Sequence, residues 1–395
     1  MIVSKLKLTN WRNFLSVDVD LGMRCFIVGP NACGKSNLLD VFRFLRDIAK
    51  PQGGGLQQAV QSRGGFSKLK CLSARRTPNI EIEVHLANGR GESPIWRYQL
   101  GIRQEGSWPK RLLVAHERVW SGDKLVLNRP EDNPDDLKDS DRLTETFLEQ
   151  TNANFNFREV SKYFESVSYL HLVPQLLRAV DSIQTNKSGE DFYGRNFLVK
   201  VAKTPEATRR KRLQKIEQVL RAAVPQFTDL TDMVDEAGTP HLEVTYKHWR
   251  PDAGRQREDQ FSDGTIRLIG LFWSLLESNT LLLLEEPELS LHNRIVSTLA
   301  PAIYKLQSEK QRQVILSTHS SALLSDIGIG SEEVLLLVPG KEGTKVQEAS
   351  KIQEINLLLE GGMTVGEAVL PRTDPENFDQ FLLEFSNGHK HQHRG

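Results

Sequence analysis

The stretch Gly29-Pro-Asn-Ala-Cys-Gly-Lys-Ser36 constrains this chain most, because it fits the phosphate-binding pattern G-x-x-x-x-G-K-[ST]. It follows the apolar run Cys25–Val28 and precedes the helical pattern Asn37–Leu45. A strand, a glycine turn and a helix N-terminus aim backbone N–H groups and the positive end of a helix dipole at one anion. In such a loop Lys35 reaches the β- and γ-phosphates and Ser36 ligates Mg²⁺. Gly29, Pro30, Asn31, Ala32, Cys33, Gly34, Lys35, Ser36 and Asn37 are therefore expected to line a nucleoside triphosphate. The strand–loop–helix context argues against a chance glycine turn.

Composition narrows the class. A chain of 395 residues suggests two to three domains of ordinary size. The 51 basic and 51 acidic residues balance, so any nucleic-acid binding must come from a local patch or a dimer groove. Cys25, Cys33 and Cys71 are too few and too irregular for a disulfide framework or a zinc site, which suggests a reducing compartment. No apolar run approaches bilayer length and the N-terminus lacks a signal-peptide layout, so a soluble, cytoplasmic protein without membrane contact is expected.

Alternating segments at 2–8 and 15–21 read as half-exposed strands before the loop strand. Further strands are expected at Ile80–Leu86, Ile95–Ile102, Arg111–Trp120 and Lys124–Leu127, forming an antiparallel sheet. The polar, acidic stretch from 128 to 160 reads as a mobile loop with a short helix. A helix is expected over 205–224, with Thr204 as N-cap, Pro205 in the first turn, Pro225 as its stop, and Leu213, Ile216, Leu220 and Ala223 as its apolar stripe. From residue 261 onward helices and strands alternate as in an α/β core.

Thr280-Leu-Leu-Leu-Leu-Glu-Glu-Pro-Glu288 reads as a buried parallel strand ending in two carboxylates, a Walker B arrangement. Glu285 would hold Mg²⁺ through water, and Glu286 would polarise the attacking water as general base. The next apolar strand, Gln313–Ser317, ends at Thr318-His319-Ser320, where His319 can contact the γ-phosphate. Read alone, these would be a solvated acidic turn and a capping histidine. Phe261-Ser-Asp-Gly-Thr-Ile-Arg267 adds a second anion nest, with Ser262, Asp263 and Gly264 at a helix start.

In this order the motifs resemble the RecF/SMC-like branch of ABC ATPases, and within it the stand-alone RecF-like AAA-type ATPases of bacteria. The likeness runs from Leu8-Thr-Asn-Trp-Arg-Asn-Phe14 through the phosphate loop, FSDGTIR, LLLLEEPELSLHN and STHSSALL to about residue 370. It implies an α/β, ABC-type P-loop ATPase head with a mixed central sheet, an appended antiparallel β subdomain and a helical subdomain carrying the signature motif. The corresponding segments are 1–75, 76–200, 201–275, 276–372 and a tail, 373–395. By the same resemblance two heads dimerise around two ATP–Mg²⁺, each signature binding the γ-phosphate held by the other subunit, with a higher oligomer as the alternative. Arg12 and Asn13 would lie near the nucleotide, Ser290 to His292 would face the dimer, and Gln175 is a candidate metal contact of the Q-loop type. Three departures stand out: Asp263 where the signature has glycine, Glu285 where Walker B has aspartate, and Cys33 in the loop, either reactive or simply small.

No sustained heptads separate Ser36 from Phe261, which excludes long coiled-coil arms. The segment after His319 is too short for the Toprim nuclease of longer relatives. Two functions remain open. One is an ATP-gated clamp on double-stranded DNA in repair or antiphage defence, supported locally by Arg209-Arg-Lys-Arg212, Lys215 and Arg221, which could equally be a solvated helix face. The other is a scaffold that holds a separate nuclease or toxin, with residues 80–200 as a docking surface. The tail His389–Gly395 reads as disordered.

Overall fold

The computed structural model describes residues 1–74, 79–106, 110–178, 193–247 and 254–373. The tail His389–Gly395, read as disordered, therefore lies outside the described residues, as does the stretch 179–192. Three sheets organise them. The first is antiparallel and joins β1 (Ile2–Trp11), β2 (Phe14–Asp20), β4 (Ile80–Ala87), β5 (Trp96–Gln104), β6 (Leu112–Ser121) and β7 (Lys124–Arg129), in the order β2-β1-β4-β5-β6-β7. The hairpin β1–β2 is thus part of the same sheet as β4 to β7. Register places Leu6 and Leu8 opposite Val84 and Ile82, all on the buried face, while Lys5 and Lys7 on the other face pair with Asp20 and Glu83.

The core sheet is mixed. It runs β15 (Gly343–Glu348), β14 (Val334–Gly340), β3 (Arg24–Val28), β13 (Val314–Thr318), β12 (Leu282–Glu285), β8 (Ser168–Leu170). All neighbours are parallel except the β14–β15 pair. Its inner strands β14, β3, β13 and β12 are largely apolar because both faces are covered. Cys25, Ile27, Leu283, Ile315 and Leu335 face the first sheet and the helix Lys35–Ala49. Phe26, Val28, Leu282, Leu284 and Leu316 face the helices Asp263–Glu277 and Leu299–Lys310. A smaller antiparallel sheet of β9 (Phe227–Val234), β10 (Pro240–Tyr246) and β11 (Arg255–Arg257) packs near the helix Glu206–Ala223. Among the described residues no helix is long and apolar enough to cross a membrane.

Two local expectations need correction. The helix after residue 204 is capped by Pro205, whose φ of −50° and ψ of 135° place it just outside the helix. Thr204 instead donates its hydroxyl to the Lys200 carbonyl, closing the preceding helix Phe197–Lys203. The apolar stripe Leu213, Ile216 and Leu220 is buried as expected, and the Ala223 side chain lies outside the described set.

The acidic stretch 128–160 is not a loose loop but a docked one. Leu143, Leu148, Phe157 and Val160 enter the core, and Arg129 is completely buried. Its guanidinium donates to Asp136 at 2.6 Å, to Glu117 at 3.3 Å and to the carbonyls of Arg142 and Glu145 at 3.0 Å. Glu117 also accepts the Tyr98 hydroxyl and the backbone N–H groups of Phe147 and Leu148. Counting acids in the sequence missed this, because one buried arginine turns two acidic side chains into a fold determinant. Arg129→Ala leaves buried Glu117 without its cation and Asp136 with Arg142 alone, and is expected to cost about 3–5 kcal/mol, read as a lower urea midpoint. An unchanged midpoint would mean that the cluster contributes no net stability.

Candidate functional site

Parallel pairing of β3, β13 and β12 brings three C-terminal strand ends to one edge of the core sheet. Val28 leads into the phosphate loop, Glu285 into Glu286, and Thr318 into His319. That edge is where an open α/β sheet binds its ligand.

The loop is built to glycine tolerances. Gly34 has φ of +103°, and a Cβ there would meet the Asn13 side chain at 2.2 Å. Asn13 lies beneath the loop, donating to the Cys33 carbonyl at 2.7 Å and to Thr344 Oγ1 at 2.9 Å, and accepting from Asn37 at 2.8 Å. Thr344 supports the same Cys33 carbonyl from β15. Arg12 has φ of +50° and donates to Asp40 at 2.6 Å. Burial alone would raise the Asp40 pKa, but Arg63, then Arg12 and Arg43, hold it below the usual carboxylate range. Asn31 and Ala32 are exposed at the tip and Pro30 is half-buried. Lys35 is folded inward, donating to the carbonyls of Gly29 at 3.0 Å and Pro30 at 3.1 Å. An ammonium held only by carbonyls is free to turn to a stronger anion. Cys33 is buried, and burial pushes its thiol pKa up against the opposing pull of Lys35, which disfavours the reactive thiolate.

Ser36 and Glu285 meet across β13. The Ser36 hydroxyl donates to Glu285 Oε1, and the Tyr169 hydroxyl from β8 donates to Glu285 Oε2. A hydroxyl and a carboxylate are hard oxygen donors, and Mg²⁺ commonly takes one or two such protein ligands and completes its shell with phosphates and water. The residues present fit that ion.

Glu286 follows with φ of +43°, its N–H bonded to the Ser317 carbonyl at 3.1 Å. A non-glycine residue held there stores about 1–3 kcal/mol of strain, a cost typical of working sites. Its carboxylate lies 3.3 Å from His319 Nδ1. Behind them Glu288, buried, accepts the Thr318 hydroxyl at 2.5 Å, while burial pushes its carboxyl pKa up. Arg267 is buried nearby on the signature helix, and burial lowers its pKa against the pull of Asp263, Glu288 and Glu286.

The signature helix Asp263–Glu277 starts at Ser262, whose Oγ accepts the Thr265 N–H at 3.1 Å. A Cβ on Gly264 would lie 3.1 Å from the Ser290 carbonyl, so the loop through Ser290 and Leu291 seats directly on this turn. Ser290 itself has φ of +64°, and His292 caps the short helix Asn293–Val296. Asp263 would oppose an incoming anion, but Arg178 donates to it at 2.6 Å and offsets its charge. Gln175 also donates to Asp263, at 3.3 Å, and so serves the signature turn rather than the Ser36–Glu285 pair. Tyr169, Arg178 and Thr344 escaped the sequence reading, and Glu288, though inside the Walker B run, was given no role there. No motif marks the first three, and only the tertiary packing around β12, β15 and the signature turn reveals them.

The basic helix is mostly spent on the fold. Arg209 bonds the carbonyls of Ala202 and Thr204 and pairs with Asp232 at 2.8 Å. Arg212 donates to the Glu277 carbonyl and stacks over Trp273. Lys215 and Arg221 pair with Glu309 and Glu217. Arg210 and Lys211 remain on the surface.

Fold and site define an ABC-type ATPase head of the RecF/SMC-like kind. Residues 25–325 match the family AAA_21, described as "AAA domain, putative AbiEii toxin, Type IV TA system", and the chain belongs to that family. It is 32% identical over 133 residues to the Old nuclease of Escherichia phage P2, covering 29% of this chain and 22% of that protein. It is 31% identical over 87 residues to the DNA replication and repair protein RecF of Synechocystis sp., covering 22% of this chain and 23% of that one. The chain therefore spans under a quarter of the length of either relative. Among solved structures, the SmcHead bound to the C-winged helix domain of ScpA superposes with a TM-score of 0.53 at 13% identity, over 88% of this chain and 98% of that one, a likeness of fold.

Proposed function

We propose that the chain binds ATP with Mg²⁺, hydrolyses it slowly and closes into a homodimer around two nucleotides, acting as a nucleotide-gated clamp on double-stranded DNA in repair or antiphage defence. The observation that carries this reading is the convergence of Lys35, Ser36, Glu285, Glu286 and His319 at one edge of the core sheet. Lys35 and the helix start hold the phosphates, Ser36 and Glu285 hold the ion, and the Glu286 carboxylate takes a proton from water while facing His319. Mg²⁺, when bound, neutralises phosphate charge.

A second reading has its own support. Arg209 and Arg212 of the basic helix are committed to internal partners, which thins the surface available to track a DNA backbone and favours a scaffold whose client is a separate nuclease or toxin. In that case the antiparallel sheet and the docked segment after it offer the partner surface. Plasmid DNA mixed with the purified protein, ATP and Mg²⁺ or Mn²⁺ is expected to stay uncut. Under the clamp reading, retention of the DNA in a gel requires ATP and falls steeply with salt. No retention at any salt, with a nuclease or toxin co-purifying from the native host, would replace the clamp by the scaffold. Cleavage that survives repurification and is lost on mutating an acid outside Glu285 and Glu286 would overturn both.

A further inference from the structure

Glu285 stands where this class has an aspartate, and the extra methylene gives the metal-side carboxylate a longer, looser arm. The structure supplies a restraint for it. β8 is the edge strand of the core sheet and runs parallel to β12, with Tyr169 opposite Leu283. Side chains alternate along a strand, so Tyr169, Leu283 and Glu285 project from the same face. Two residues of strand rise about 6.6 Å, close to the reach of a phenol from its own Cα. The Tyr169 hydroxyl accordingly arrives at Glu285 Oε2, leaving Oε1 toward Ser36. The ring is itself held from the other side: the Arg43 guanidinium lies over it, 4.1 Å from its centroid. Arg43 is seven residues after Ser36 on the loop helix and hence on the same helix face. One helix face thus presents both the serine hydroxyl and the group that orients the tyrosine.

We propose that Tyr169 is a positioning residue for the metal site, fixing the longer Glu285 arm so that one carboxylate oxygen stays aimed at the ion beside Ser36. This deepens the nucleotide-site reading and rests on it. Tyr169 does not touch nucleotide or metal; it acts through Glu285. Partners of this kind, donating to a metal-ligating carboxylate, typically change metal affinity 10- to 100-fold when removed.

The test uses full-length protein and Mn²⁺, read by electron paramagnetic resonance, as the ion. Tyr169→Phe keeps the ring and its stacking on Arg43, so the thermal midpoint and the affinity for ATP in EDTA are expected to match the parent. Affinity of the ATP-bound protein for Mn²⁺ is expected to fall about 10- to 100-fold. In a Glu285→Asp background the carboxylate no longer reaches the hydroxyl, so adding Tyr169→Phe is expected to change Mn²⁺ affinity by less than about twofold, a non-additivity that marks direct coupling. Unchanged Mn²⁺ affinity in Tyr169→Phe, or an equal loss in both backgrounds, overturns the proposal. Tighter Mn²⁺ binding also overturns it, since the hydroxyl would then compete with the ion. A parent protein that takes up no Mn²⁺ with ATP overturns the nucleotide-site reading itself, an outcome separable from the others.

Discussion

Glu286→Gln is expected to hold ATP as tightly as the parent protein and to release phosphate at least about 10²- to 10⁴-fold more slowly, the range supplied by a positioned general base. The amide keeps the shape of the side chain but cannot accept a proton. The left-handed backbone at Glu286, pinned by its N–H to Ser317, is undisturbed by the change. The 3.3 Å approach to His319 Nδ1 remains possible as a hydrogen bond. The loss should therefore fall on kcat, with nucleotide affinity preserved. Lys35→Ala is expected to do the opposite, weakening ATP binding itself, because the ammonium now resting on the Gly29 and Pro30 carbonyls is the loop's mobile cation. Phosphate release and filter binding on the two variants separate the roles. A Glu286→Gln protein turning over at the parent rate would show that another group takes the proton.

The second large effect concerns assembly. The signature turn makes its contacts with Gln175, Arg178, Ser290 and Leu291, whereas the phosphate loop makes its own with Asn13, Glu285 and Thr344. The two helix starts are thus built on separate supports within one subunit. A second head that brings its signature turn to the first head's γ-phosphate would use both. Glu286→Gln protein, unable to clear its nucleotide, is expected to double its mass in light scattering with ATP and to stay monomeric with ADP. Adding Ser262→Arg places a long side chain at an exposed N-cap and is expected to abolish the shift while leaving ATP binding by the single head intact. A mass indifferent to both nucleotide and Ser262 would rule out the sandwich arrangement.

Much of this site was legible in the chain because its parts are local. A phosphate loop is a run of adjacent residues whose backbone does the binding, so spacing alone betrays it. The apolar strand ending at Glu285 and Glu286 is legible for a similar reason: burial on both faces removes alternation, and two acids at its end stand out. The antiparallel strands from β4 to β7 follow their period of two to within a few residues. Charge without partners was less legible. Arg209, Arg212, Lys215 and Arg221 read as a basic stripe, yet the first three find an acceptor, acid or ring on other elements that the helix pattern cannot show. The acids around 131–145 read as solvated until buried Arg129 gathers Asp136 with Glu117.

The sequence by itself thus determined the class of the protein: the phosphate loop, the carboxylate pair and their order along an α/β core are properties of short, contiguous segments. Tertiary structure alone decided how those parts are held. Asn13 under Gly34, Thr344 on the Cys33 carbonyl, Tyr169 on Glu285 and Arg178 on Asp263 join positions far apart along the chain. Such pairs leave no periodic trace, because their register depends on which strands lie side by side, and that is set by burial of the whole core rather than by any segment within it.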